Sequence, residues 1–356
     1  MRIKVKTIFG LNNAVLKIID DLICHSKIPA INIRTSFMLA YNKYLLKDWN
    51  PFFIVAYKDS KPIGLLPLMH KTFYRKKILP YSIIRIYSSF NSDFSNIYGK
   101  KENLKDIVEV TFSELSKSKI KWNEIIFDNF LKSSNSIDYI KNFLIKNEMS
   151  FNLEKGKYYY IDLDSSWENI TNTMSKKFVK RNVRAAHRRI NLAGSWMVDY
   201  NPKLKSNDIL ERIFPIHIKR QAQLDRKSNF LNDSYKSFFI EVVNDFLEKN
   251  SFKSFWLYLN GEIIAYMIGF DLDGVFYWWN TAFDPEKKKY YPTRLLLYNV
   301  IKYLHENNFK EFNFMRGESD YKKKWTRKYR TNYRFKIKNN VSFYNKIINI
   351  IDSKLK

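Results

Sequence analysis

Three apolar runs separated by two-residue turns occupy residues 252 to 283, and no other stretch restricts the fold as tightly. Phe252 to Leu259 ends at Asn260-Gly261. Ile263 to Asp271 ends at Asp273-Gly274, and Val275 to Phe283 follows. Asn-Gly and Asp-Gly between apolar runs specify tight hairpins, so an antiparallel three-stranded meander is expected. A lysine loop, Lys287-Lys288-Lys289, then leads to Tyr291-Pro292-Thr293-Arg294, where a helix is predicted to open. Leu295, Leu296, Val300, Ile301 and Leu304 give it an apolar face. Glu311 to Phe314 reads as one more strand. It delivers Arg316-Gly317-Glu318-Ser319-Asp320-Tyr321-Lys322, read as a turn.

The rest of the chain offers a similar succession. Residues 1 to 50 read as mostly helical, with Pro51 as a stop. Phe52 to Tyr57 and Ile63 to Leu68 form a hairpin around Asp59-Ser60-Lys61. Strands at 83–90 and 123–128 flank a helix at 102–118, and a helix at 136–147 follows. Tyr158 to Leu163 begins the second half. Trp167 to Ile190 is predicted helical, with a short strand at Ser195 to Tyr200 and helices at 207–226 and 233–249. Two α+β units of similar plan result, joined around residues 148–158. A chain of 356 residues favours two domains on size alone.

Composition narrows the function classes. Cys24 is the only cysteine, which excludes an intrachain disulfide and a cysteine metal cluster. The five histidines show no metal-ligand spacing, and no metal is expected. Charged residues interrupt the first twenty positions, and runs such as Ile263 to Phe270 fall short of the ~20 residues that span a bilayer. A soluble, cytoplasmic protein is expected. The formal net charge is +27, split as +12 over residues 1–160 and +15 over the remainder. An excess spread this evenly, with lysine, asparagine and isoleucine abundant throughout, reads as whole-chain bias with modest anion attraction.

Several residues could carry chemistry. The helix start at Pro292 would turn free N–H groups toward the end of strand 275–283, and Arg294 and the Lys287-Lys288-Lys289 run add charge, which suits an anion. It equally suits an ordinary Pro-started helix. A phenol at Tyr321 could protonate a leaving thiolate, with Lys322 or Asp320 positioning an acceptor. His217 could act as base, although a lone histidine on an amphipathic helix is commonly structural. Lys177, Arg181, Arg184 and Arg188 form a basic stripe with no acid between Glu168 and Asp199 to pair with it. Trp278 and Trp279 could floor a groove or pack in the core.

In order and spacing these residues resemble the GNAT superfamily, specifically the two-domain acyltransferases of the CelD-like (cellulose- and polysaccharide-biosynthesis) type. Those are distantly similar to the Fem peptidoglycan aminoacyltransferases. The resemblance rests on Ile63-Gly64-Leu65-Leu66-Pro67-Leu68, Ser92-Asp93-Phe94, the basic helix Ser175–Arg189 and Asn260 to Ala265. It continues through Tyr291 to Leu296 and Gly317 to Lys322 with Trp325. It implies an α+β fold of two tandem GNAT-like (acyl-CoA N-acyltransferase) domains, each a mixed, mostly antiparallel sheet flanked by helices. Residues 1–152 would form an N-terminal domain without its own cofactor, and residues 153–356 the domain with the acyl-CoA site.

The resemblance further implies acetyl-CoA or another acyl-CoA as donor, held by Thr281, Ala282, Phe283, Pro292, Thr293 and Arg294. Tyr321 falls where the superfamily places its acid. Lys322, Asp320 and His217 join it as catalytic residues, and Arg181, Arg184, Trp278, Asn280 and Arg316 as substrate-binding ones. Thr293 stands where the family usually has glycine. The acceptor would be an amine or hydroxyl of a sugar or glycan precursor. Two alternatives accompany this reading. One is Fem-like transfer from aminoacyl-tRNA. The other is a basic protein binding nucleic acid or a membrane surface, the latter through a helix at 342–356.

Overall fold

The computed structural model describes residues 3–23, 31, 34–75, 77–88, 93–132 and 136–339. The helix expected at 342–356, Cys24 and Ser92 lie outside these residues. In chain order the elements are β1 (Lys4–Phe9), α1 (Asn13–Ile23), α2 (Thr35–Tyr44), β2 (Asn50–Lys58), β3 (Lys61–Arg75), β4 (Leu79–Ile86), β5 (Tyr98–Gly99), α3 (Leu104–Lys117), β6 (Glu124–Leu131) and α4 (Ser136–Lys146). Then come β7 (Phe151–Asp162), α5 (Trp167–Thr173), α6 (Arg181–Asn191), β8 (Trp196–Tyr200), α7 (Ser206–Ala222), α8 (Asp233–Glu248) and the meander β9 (Phe252–Leu259), β10 (Glu262–Leu272) and β11 (Val275–Phe283). The chain continues with α9 (Pro292–Glu306), β12 (Glu311–Asn313), α10 (Asp320–Trp325) and β13 (Tyr329–Lys338).

The chain divides into two compact units, residues 1–156 with 331–356 and residues 157–330. A boundary at 152/153 had been expected, with everything after it in one domain. The difference has a topological cause. In the first unit β1, β2, β3 and β4 pair antiparallel in succession, β4 pairs parallel with β6 across α3, and β6 pairs antiparallel with β13. In the second unit β8, β9, β10 and β11 do the same, β11 pairs parallel with β12 across α9, and β12 pairs antiparallel with β7. The plans coincide strand for strand. The first unit takes its closing strand, β13, from beyond the second unit, whereas β7 leads directly into the unit it closes.

Local chemistry explains most of these elements. The turns of the meander hold Asn260 at φ 51° and Gly261 at φ 80°, and Asp273 at φ 55° and Gly274 at φ 81°, the left-handed pairs that match strand twist. Each core follows from the apolar faces. Phe52, Leu66, Ile84, Phe127, Phe335 and Ile337 are among those buried in the first unit. Phe255, Met267, Leu296, Ile301, Phe312 and Trp325 are among those in the second.

Three expectations need correction. Residues 4–9 form a strand, not helix. The helix expected from Trp167 to Ile190 is broken, since α5 stops at Thr173 and a π-helical turn at Lys176–Lys180 intervenes before α6. Ser175 N–H donates to the Lys324 carbonyl at 3.0 Å, which takes the backbone out of the helical ladder. The turn expected at Tyr321-Lys322 is the short helix α10, whose first amides are capped by the Ser319 side chain.

Candidate active site

A cleft of about 450 Å³ opens in the second unit, within the range of ligand sites. It is lined by the end of β11 (Thr281, Ala282, Phe283), the start of α9 (Tyr291 to Arg294), Lys288, the end of α7 (Arg220, Gln221, Leu224) and Tyr321. Every residue expected to hold the donor is here, together with the expected acid.

The cleft exists because β11 and β12 part. They pair only from Val275↔Glu311 to Tyr277↔Asn313. Beyond Tyr277, no described strand borders β11 on that side. The register with β10 also shifts between Ile268 and Gly269, leaving Trp279 as an extra residue, which bends and twists the strand. Asp284 N–H donates to the Ile264 carbonyl at 2.9 Å, so residue 284 faces β10. Alternation then turns the N–H groups of Thr281 and Phe283 away from β10, toward the opening. The Thr281 hydroxyl donates to the Tyr266 carbonyl at 2.5 Å and pins this edge.

α9 opens on the other side. Tyr291 at φ 54° precedes Pro292, offers no side-chain cap, and the first turn holds no acid. Arg220, Lys288 and Arg294 are the cations on the lining, which contains no carboxylate or imidazole. Arg220 lies 4.6 Å from the Phe283 ring centre, and Arg294 lies 4.7 Å from that of Tyr291. Arg189 of α6 holds the lysine loop, donating to the Lys289 carbonyl at 3.0 Å. Lys288 comes from the lysine run expected to add charge at this helix start, whereas Arg220 and Gln221 were missed by sequence reasoning. They sit about sixty residues before Thr281 and about a hundred before Tyr321, on a helix with no local link to either.

Tyr321 closes the cleft. Its hydroxyl is buried without a hydrogen bond of good geometry, as are the indole N–H groups of Trp278 and Trp325. The Tyr321 ring centre lies 6.3 Å from each of those two rings. Burial pushes the Tyr321 phenol well above its ordinary pKa, while the Arg294 guanidinium and the Trp325 indole pull the other way. The group therefore stays protonated through the physiological range.

The other expected catalytic residues lie elsewhere. Lys322 Nζ donates to the carbonyls of Met315 (3.2 Å) and Arg316 (2.6 Å), tying down the turn after β12. Asp320 is exposed and pairs with Lys323 at 3.2 Å. His217 is buried, its Nδ1 2.7 Å from the Ser228 hydroxyl, and its ring meets Phe230 edge-on at 5.0 Å. Burial lowers its pKa to about 4. None of the three lines the cleft.

Of the residues expected to bind substrate, Arg181 and Arg184 are exposed on α6. Lys177 and Arg188 are exposed with them, and none of the four makes an ion pair among the described residues. Trp278 packs against Phe312 and Phe314 at 5.7 and 5.6 Å. Asn280 Oδ1 accepts the Tyr266 hydroxyl at 2.8 Å. Burial raises the Tyr235 phenol, and the exposed Arg316 guanidinium lies close enough to oppose that shift. Tyr235 and Tyr266 had no sequence signal. They join Asn280 only because β10, β11 and α8 fold together.

Residues 177–323 match the family model described as an acetyltransferase (GNAT) domain. The second unit carries a GNAT acyltransferase domain. Solved structures share the fold of the whole chain. FemX has 13% identity over 96% of this chain and 99% of that one, with TM-score 0.62. L-PGS from Bacillus licheniformis has 12% identity over 94% of each, with TM-score 0.55. A conserved protein of unknown function from Bacteroides thetaiotaomicron has 14% identity over 94% of this chain and all of that one, with TM-score 0.56. No curated protein matches. With the matching strand plans of the two units, the fold is a tandem of GNAT-like domains. Among the described residues no helix is long and apolar enough to cross a membrane, and no cluster of acids, histidines or cysteines could hold a metal.

Proposed function

We propose that the second unit transfers an acyl group from acyl-CoA to an amine of a sugar or glycan precursor. One observation carries the reading. The opened edge of β11, the uncapped start of α9 and the orphaned Tyr321 hydroxyl line a single cleft whose charges are all cationic. These residues fit a phosphate-bearing thioester. Acyl-CoA would supply the activated carbonyl. The N–H groups of Thr281 and Phe283 would donate to its oxygen. Arg220, Lys288, Arg294 and the Thr293 N–H would face the phosphates. Tyr321, kept protonated, holds the proton for the departing sulfur. The lining has no group to deprotonate an alcohol, which favours an amine that arrives as its free base over a hydroxyl. Asn280, Tyr235 and Arg316 would hold the acceptor, and the reaction would take place in the cytoplasm.

The first unit supports a structural role. Where β11 leaves an open edge, β4 stops at Ile86, and Ser95 bridges to Phe130 at the end of β6. Gly99 of β5 lies so close to α3 that an added Cβ would sit 2.6 Å from Ile107 Cδ1. The chain itself fills the corresponding opening. Fem-like transfer from aminoacyl-tRNA is a second reading, favoured by the exposed stripe of Lys177, Arg181, Arg184 and Arg188. The two separate by calorimetry. Acetyl-CoA or a longer acyl-CoA should bind with micromolar affinity. No heat at millimolar concentrations of either would sink the CoA reading, and salt-dependent tRNA binding in its place would establish the second.

A further inference from the structure

The hairpin of β3 and β4, in the first unit, carries a feature that acyl transfer does not use. The last three residues of β3 are exposed, and the register Phe73↔Tyr81, Tyr74↔Pro80, Arg75↔Leu79 continues to the tip. There, Phe73 is 38% exposed, Tyr74 67% and Ile78 76%. No other six-residue stretch of the described chain bears three exposed large apolar side chains. Scattered ones are ordinary on any surface, and a cluster is not.

The charge around this cluster is one-sided. From Lys61 to Ile86 the sequence has six lysines and arginines and no acid. Asp48 reaches in to pair with Lys71 at 2.8 Å. Arg75 lies over the Tyr81 ring at 3.6 Å, and Lys77 is exposed beside Ile78. A tyrosine, an isoleucine and cations on one tip match a bilayer's headgroup layer. Apolar side chains enter its acyl boundary, tyrosine sits at the interface, and cations meet lipid phosphates. Three side chains are too few for a stable protein interface, which needs about 800 Å² from each partner. A lipid surface accepts so small an anchor when charge assists it.

We propose that the β3–β4 tip docks the chain on an anionic lipid surface, with Tyr74 and Ile78 entering the headgroup layer and Arg75 and Lys77 facing the phosphates. Flotation of the full chain with vesicles tests this. It should bind phosphatidylcholine vesicles containing about one-third phosphatidylglycerol and not pure phosphatidylcholine at about 150 mM salt. The combined Tyr74→Ser and Ile78→Ser variant keeps the net charge. It should lower the partition coefficient about tenfold. Lys77→Glu should weaken binding about tenfold as well, while Lys141→Glu, an equal charge change on the exposed face of α4, should change it less than about twofold. Absence of wild-type binding would overturn the proposal. So would an unaltered Tyr74/Ile78 variant, or equal losses from Lys77→Glu and Lys141→Glu, since either would leave bulk charge as the whole attraction.

Discussion

Tyr321 shows most sharply what a single side chain can be made to do. A buried hydroxyl without a partner costs stability, because its lost water contacts go unreplaced. The fold retains one beside the cleft, next to the Trp325 indole but without a hydrogen bond of good geometry. Tyr321→Phe should therefore raise stability, by up to about 1 kcal/mol in denaturant unfolding. In the proposed reaction it should also lower kcat at least tenfold with little change in the Kd for CoA. A variant that lost stability, or kept its turnover, would remove the phenol from the mechanism. His217 makes the opposite case. Its folded pKa, about 4, lies below the ordinary 6.5, so the unfolded chain binds the extra proton between those values. Its contribution is complete above pH 6.5 and is lost as pH falls toward 4, a change of about 3 kcal/mol. Unfolding wild type and His217→Gln at pH 7 and pH 5 should show a steeper loss in wild type. The family resemblance was enough to bring Tyr321 forward as a candidate. It could not separate Tyr321 from Lys322, one residue on, because only the packing of α10 sends the phenol inward while the ammonium turns back on Met315 and Arg316.

At the scale of elements, the decisive event is the parting of β11 from β12. It exposes a strand edge and sets a helix start against it, so anion binding should draw on both. Arg220→Ala and Arg294→Ala remove cations from α7 and α9, and each should raise the Kd for CoA about five- to tenfold. Calorimetry at two salt concentrations checks this, and the two losses should shrink together as salt rises. The meander and α9 were legible because their signals are local: two left-handed turns and a proline with an apolar face. β1 was not legible. Its alternation over Lys4–Phe9 is short and half polar, and it becomes a strand only by pairing with β2 from Lys4↔Tyr57 to Phe9↔Phe52. The break between α5 and α6 was hidden for a related reason. It depends on the Lys324 carbonyl, about 150 residues away, which competes for a backbone N–H that the local sequence would leave in a helix.

At the scale of the whole molecule, the first unit is completed by a strand encoded after the second. Each unit repeats one plan, but the first completes its sheet with β13, encoded beyond the second unit, while β7 leads directly into the unit it closes. No local pattern reveals this, since β7 and β13 look like strands that could close whichever sheet precedes them. The consequence is physical. β13 supplies Phe335 and Ile337, both fully buried, to the first unit's core, and it pairs with β6 from Asn332↔Leu131 to Lys338↔Glu124. Lys336 and Arg334 add ion pairs to Glu154 and Asp128 at 2.6 and 2.7 Å. Burial of those two apolar side chains alone is worth about 3 to 6 kcal/mol, comparable to the net stability of many domains. A chain stopped after Arg330 retains all of residues 177–323, the part that matches the acetyltransferase model. It should nevertheless lose the first unit's cooperative unfolding transition and expose Phe127 and Phe130 to a hydrophobic dye. Restoring residues 331–339 should bring the transition back. If the truncated chain unfolded like the full one, β13 would be an accessory strand, and the two units would be independent domains laid end to end.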